Sequence, residues 1–114
     1  MKSKFPSQSL TINTEVVLPN DTNHVGNLFG GKLMQWVDIS AAIAAQRHSS
    51  RVVVTAAIDH VSFDKPIKQN SVVTLEAKVT RAFSTSMEVF VDVFVGVIYL
   101  FSSSSLLRQR NEHN

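Results

Sequence analysis

The stretch Gly30-Gly31-Lys32-Leu33-Met34-Gln35-Trp36-Val37-Asp38-Ile39-Ser40-Ala41-Ala42-Ile43-Ala44-Ala45-Gln46 decides how this chain must be built. From Lys32 to about Gln46 it reads as a helix. Leu33, Met34, Trp36, Val37, Ile39, Ala41, Ala42, Ile43, Ala44 and Ala45 do not form a narrow stripe. They cover most of the circumference, which marks a helix buried on nearly all sides. A chain of 114 residues buries a modest share of its own surface, so self-association is expected to supply the rest of the cover.

Asp38 is the anomaly in that helix. Val37 and Ile39 flank it, and Ala41 and Ala42 lie one turn on. A carboxylate desolvated there is costly unless it is paired or hydrogen-bonded. No Lys or Arg lies three or four residues away, and Lys32 and Arg47 stand at the wrong spacing. Such a group tends toward a raised pKa and is a candidate base. The plainer alternative is a buried aspartate satisfied by a distant backbone amide or serine. Gly31 lies seven residues before Asp38, close to two helical turns, so the two share a face. Free amides at a helix start attract developing negative charge, and glycine lets a ligand approach them. An amide donor and a carboxylate on one face suit water attack on a carbonyl. The plainer alternative here is a flexible glycine pair entering a helix.

Outward from the helix, the pattern becomes strand-like. Residues 10–18 alternate, with Leu10, Ile12, Val16 and Leu18 on one face and Thr11, Asn13 and Glu15 on the other. Pro19-Asn20-Asp21-Thr22-Asn23 reads as a turn. After the helix, residues 52–63 are apolar and β-branched, and Pro66 ends them. Val73, Leu75, Ala77 and Val79 alternate with Thr74, Glu76, Lys78 and Thr80. A turn around Phe83-Ser84-Thr85 leads to Met87, Val89, Val91, Val93 and Val95 alternating with Glu88, Phe90, Asp92 and Phe94, which predicts a hairpin. Strand, long buried helix, then antiparallel strands is an α+β order, and a sheet wrapped around one central helix satisfies it.

Composition excludes several classes. Eleven Lys and Arg stand against nine Asp and Glu, a net charge of +2, with no basic stripe interleaved with aromatics, so nucleic acid is not an expected partner. There is no cysteine, hence no disulfide, thiolate ligand or cysteine nucleophile. His24, His48, His60 and His113 show no metal spacing. No serine elbow, P-loop or dinucleotide glycine motif is present. The start lacks an apolar signal region and nothing is long and apolar enough to span a bilayer, so a cytoplasmic protein with no membrane partner is expected.

The run from Pro19 through Asp21-Thr22-Asn23, Gly26-Asn27-Leu28-Phe29-Gly30-Gly31 and Asp38 resembles the hotdog-fold acyl-CoA thioesterases. Their pattern is Asp-x-Asn, a Gly-Gly pair and an aspartate seven residues after it. The likeness continues through Ala41 to His48, through Val54-Thr55-Ala56-Ala57-Ile58-Asp59-His60-Val61-Ser62-Phe63-Asp64-Lys65-Pro66-Ile67 and through Thr85-Ser86-Met87-Glu88-Val89. It implies one hotdog domain that hydrolyses acyl-CoA to free acid and CoA, with no cofactor because CoA is part of the substrate. It implies Asp38 as general base or nucleophile, and the Gly31 amide as the donor to the thioester carbonyl. Asn27 would orient water or bind the thioester, facing Asp38 of a neighbouring subunit. Val61, Ser62 and Phe63, with Ser84, Thr85 and Ser86, would contact CoA. It also implies homodimers with a continuous sheet, assembled further as a trimer of dimers.

The resemblance stops near Val95. Where the family has another long internal strand, residues 96–114 begin apolar and run into Ser102-Ser103-Ser104-Ser105 without apolar alternation. We therefore expect residues 96–114 to be an atypical tail from a truncation or frame change, with 102–114 packed loosely. A competing reading follows: a non-catalytic CoA-binding or assembly-only hotdog protein, inactivated by loss of that strand. A hotdog dehydratase is the third reading, weakened because the helix offers Asp38 without a histidine partner.

Overall fold

The computed structural model describes residues 10–59 and 65–110. In chain order they form β1 (Thr11–Val16), a short 3-10 turn (Pro19–Asp21), α1 (Gly30–Ser49), β2 (Val53–Ile58), β3 (Val72–Ala82), β4 (Ser86–Val95) and β5 (Ile98–Gln109). The strands make one antiparallel sheet in the order β1-β3-β4-β5-β2, with α1 against one face. This is the α+β arrangement of one helix and a sheet. Of the expected second strand, residues 60–63 lie outside the described residues, and so do the sites Val61, Ser62 and Phe63.

The helix starts two residues before Lys32, at Gly30, and runs to Ser49. Ser50 ends it in the left-handed conformation (φ 59°), its N–H donating to the Gln46 carbonyl at 2.7 Å. Arg47 and His48 lie in the last turn, where cations complement the helix dipole. Within one subunit α1 is buried on one face only, through Leu33, Trp36, Val37, Ser40, Ala41, Ala44 and Ala45. Ile39 remains 48% exposed. The all-round apolar character therefore exceeds what this sheet can cover.

The sheet meets that face with alternate residues: Val73, Leu75, Ala77 and Val79 of β3, and Met87, Val89, Val91 and Val93 of β4. The hairpin predicted from their alternation is present, with Val73 opposite Val95 and Ala82 opposite Met87. The edge strand β1 behaves differently. Its apolar row points outward, and Ile12 is 56% exposed. Thr11, 1% exposed, and Asn13 face the helix instead. The reason lies on α1: Asn13 Nδ2 donates to Ser40 Oγ at 3.0 Å, and Arg47 Nη1 reaches Thr11 Oγ1 at 3.5 Å. The buried Ser40 favours the polar face of the strand, because buried donors and acceptors must be paired, while the exposed Arg47 adds its contact from the surface.

The expectation of loose packing is wrong for residues 102–109, and residues 111–114 lie outside the described residues. Here β5 is a twelve-residue strand inserted between β4 and β2. Phe101, Ser103, Ser105 and Leu107 point into the core and Ser102, Ser104 and Leu106 away from it. A glycine at positive φ, Gly96 (58°), makes the turn from β4, and its N–H donates to the Val72 carbonyl at 3.0 Å. Serine has no apolar alternation to read, but a strand paired on both sides takes its hydrogen bonds from its neighbours whatever the side chain. Tertiary context overrides β-propensity at such positions.

Candidate active site

Asp38 sits mid-helix, half-buried, on the side of α1 that looks toward β2. The Thr55 hydroxyl of β2 donates to Asp38 Oδ1 at 2.5 Å, the hydrogen bond that fixes the carboxylate among the described residues. Thr55 stands opposite Leu107 of β5, which stands opposite Met87 of β4. One cross-strand row thus carries the anchor of the carboxylate. Immediately past it, β2 bulges between Thr55 and Ala57. Such bulges bend the strand and re-aim its side chains. Sequence reading missed Thr55, because a threonine in a β-branched run reads as ordinary strand; its separation of seventeen residues from Asp38 is a tertiary fact.

The helix start forms the second part. Asp21, nearly buried, takes the Leu18 N–H on Oδ2 at 2.9 Å, gives its carbonyl to the Phe29 N–H at 2.9 Å, and faces Lys32 Nζ at 3.7 Å. These contacts tie the loop to the first turn of α1. Gly30 and Gly31 are exposed, and a Cβ at either would meet nothing within 4 Å. Packing in this subunit therefore does not demand glycine there, and the backbone at the helix start is exposed.

The two asparagines of the loop differ. Asn27 pairs through its backbone with Lys68, and its N–H donates to Asn23 Oδ1 at 3.1 Å. Asn23 Oδ1 also accepts from the Val25 N–H at 3.1 Å. Two backbone amides thus hold the Asn23 side-chain oxygen. Asn27 is the amide the sequence singles out, and Asn23, within Asp21-Thr22-Asn23, is a second amide side chain of the same loop. Neither asparagine bonds Asp38 of its own subunit among the described hydrogen bonds. The 84–86 turn closes the same sheet end as Thr55: Phe83 N–H donates to Ser86 O at 2.8 Å, and Gln109 N–H to Thr85 O at 2.8 Å.

Residues 25–100, which hold this helix, carboxylate and sheet, match the family model of the thioesterase superfamily. The chain belongs to that superfamily. It is 48% identical over 92 residues to an uncharacterized acyl-CoA thioester hydrolase, YkhA, of Bacillus subtilis, across 81% of this chain and 54% of that protein. This chain thus spans about half the length of that relative. An acyl-CoA hydrolase from Staphylococcus aureus, solved with butyryl-CoA and CoA, superposes with a TM-score of 0.86 at 34% identity, covering 94% of this chain and 69% of that one. A hexameric acyl-CoA thioesterase superposes with a TM-score of 0.88 at 36% identity, covering 98% and 76%. The Staphylococcus enzyme has also been solved as alanine variants of an aspartate, of an asparagine fifteen residues before it, and of a threonine seventeen residues after it.

Proposed function

We propose that this protein hydrolyses acyl-CoA thioesters to a free acid and CoA, with Asp38 activating the attacking water or adding directly to the thioester carbon. The observation that carries this reading is the Thr55–Asp38 hydrogen bond, which holds a half-buried helix carboxylate in one orientation beside the sheet. The spacing seen in the Staphylococcus variants supports it: fifteen residues before Asp38 stands Asn23, and seventeen after it stands Thr55.

Each group then has a task. Asp38 takes a proton from water, and Thr55 is a positioning residue that keeps one carboxylate oxygen engaged so that the other faces the substrate. The Gly31 amide supports charge developing on the thioester oxygen, as a helix start can. Gly31 and Asp38 are about 10 Å apart along the axis, and the aspartate leans back toward Gly31. That interval accommodates an attacking water and a carbonyl between them. Asn23, whose oxygen is fixed, is a better candidate than Asn27 for orienting the water or the thioester. Asn27 remains the second candidate, and the 84–86 turn the candidate CoA contact.

The active unit is a homodimer, assembled further as a trimer of dimers. The β2 edge supports this, since among the described residues it pairs on one side only and leaves Val54, Thr55, Ala56 and Ala57 exposed. An open edge of that kind is a template for a second copy, and the same edge holds Thr55. We propose a cytoplasmic location on the CoA-thioester reading alone; separately, no helix among the described residues is long and apolar enough to cross a membrane. The non-catalytic alternative loses its basis, because the strand on whose absence it rested is present. The test is thiol release from a panel of acyl-CoAs of increasing chain length. Turnover of at least one supports the reading, and no turnover of any by a folded protein rejects it.

A further inference from the structure

Along β5 the residues alternate between the core and the outer face of the sheet, with Leu107 buried and Arg108 exposed. Arg108 stands opposite Ser86 of β4 and opposite Val54 of β2. Arg110 follows one step on, its N–H donating to the Val52 carbonyl at 2.9 Å, while Gln109 between them donates to Thr85 at 2.8 Å. Both arginines are therefore held by backbone bonds beside the 84–86 turn. Both are exposed, and neither has an ion pair among the described residues. Among the described residues the acid closest to them by register is Glu88, one strand over and diagonal to Arg108, and its Oε1 accepts from the Thr80 hydroxyl at 2.8 Å. Residues two apart on a strand lie about 7 Å apart, a span one phosphate can bridge with a guanidinium on each side. Guanidinium forks bind phosphate in two-point geometry.

We propose that Arg108 and Arg110 form a phosphate-binding subsite for the nucleotide end of a CoA thioester. The proposal rests on the thioesterase reading and adds to it residues outside the stretch that resembles the family. The row next to the arginines carries Thr55, which anchors Asp38 on the opposite face. The nucleotide would lie on the outer face, and the pantetheine arm would round the sheet end past the Ser84, Thr85 and Ser86 turn to bring the sulfur to the carboxylate.

Titration calorimetry with CoA and with pantetheine tests the subsite, on the wild-type protein and the double variant Arg108→Ala with Arg110→Ala. The expected result is CoA binding weakened about tenfold or more in the double variant, with pantetheine binding unchanged and circular dichroism unaltered. Lys78→Ala, an exposed cation on β3, serves as the control and should leave CoA affinity as it was. Wild-type CoA affinity in a folded double variant overturns the subsite. So does an equal loss of pantetheine affinity, or an equal loss of CoA affinity in Lys78→Ala. Unchanged CoA binding alongside normal thioester turnover rejects the subsite and leaves the enzyme reading standing. A wild-type protein that neither binds CoA nor releases thiol rejects both.

Discussion

The Thr55 hydroxyl and the Asp38 carboxylate, 2.5 Å apart, join the edge strand to the middle of the helix. The bond does two things. It supplies a partner for a carboxylate with no cation in its neighbouring turns, and it selects one rotamer of that carboxylate. A reaction that depends on placing a base within about 3 Å of a water needs the second effect.

Removing the carboxylate should abolish most of the activity. Asp38→Ala should lower turnover by about 10²-fold or more, with the thermal transition retained because the site is only half-buried. Steady-state thiol release and a melting curve check both parts. A folded variant with near wild-type turnover would remove Asp38 from the mechanism.

Thr55 should separate placement from chemistry. Thr55→Val keeps the β-branched shape and loses the donor, so turnover should fall by roughly tenfold, the worth of one charge-assisted hydrogen bond. Thr55→Ser restores the hydroxyl and should recover most of the rate. A merely structural residue would show no such recovery, and equal rates in the two variants would count against the positioning role.

Subunit complementation should distinguish the two loop asparagines. Asp38→Ala and Asn23→Ala proteins should each be nearly inactive alone. If each site takes Asp38 from one subunit and Asn23 from the next, a mixed dimer keeps one intact site, and mixing under conditions of exchange restores part of the activity. The same experiment with Asn27→Ala should show a milder starting defect. Inactive mixtures of exchanged subunits would mean that the two residues serve one site from one chain.

The core of β5 offers a stability test. Ser105 Oγ is buried without a hydrogen-bond partner among the described residues. An unsatisfied buried hydroxyl costs about 1–3 kcal/mol. Ser105→Ala should therefore raise the melting temperature by roughly 4 °C or more without changing the fold. A lowered melting temperature would show that the hydroxyl is engaged in solution.

Proteolysis should respect β5. Its ladder to β4 and β2 protects the backbone on both sides, so limited digestion should spare residues 98–109. Rapid cleavage at Arg108 in the native protein would contradict an internal strand.

The sequence by itself determined the helix, because a long apolar run with helix-forming residues must bury at least one face, although within one subunit only one face of it is covered. It determined the β3–β4 hairpin too, since clean alternation admits one register of faces. It made Asp38 conspicuous, because a lone charge in an apolar helical run is legible without coordinates. Only the tertiary structure decided the rest. The partner of Asp38 is on another element, so no local spacing announces Thr55. The inward face of β1 is its polar one, because the buried Ser40 across from it needs a partner. The four serines of β5 form an internal strand because β4 and β2 supply hydrogen bonds on both sides, and a backbone ladder depends on neighbours in space rather than on the side chains that a sequence displays.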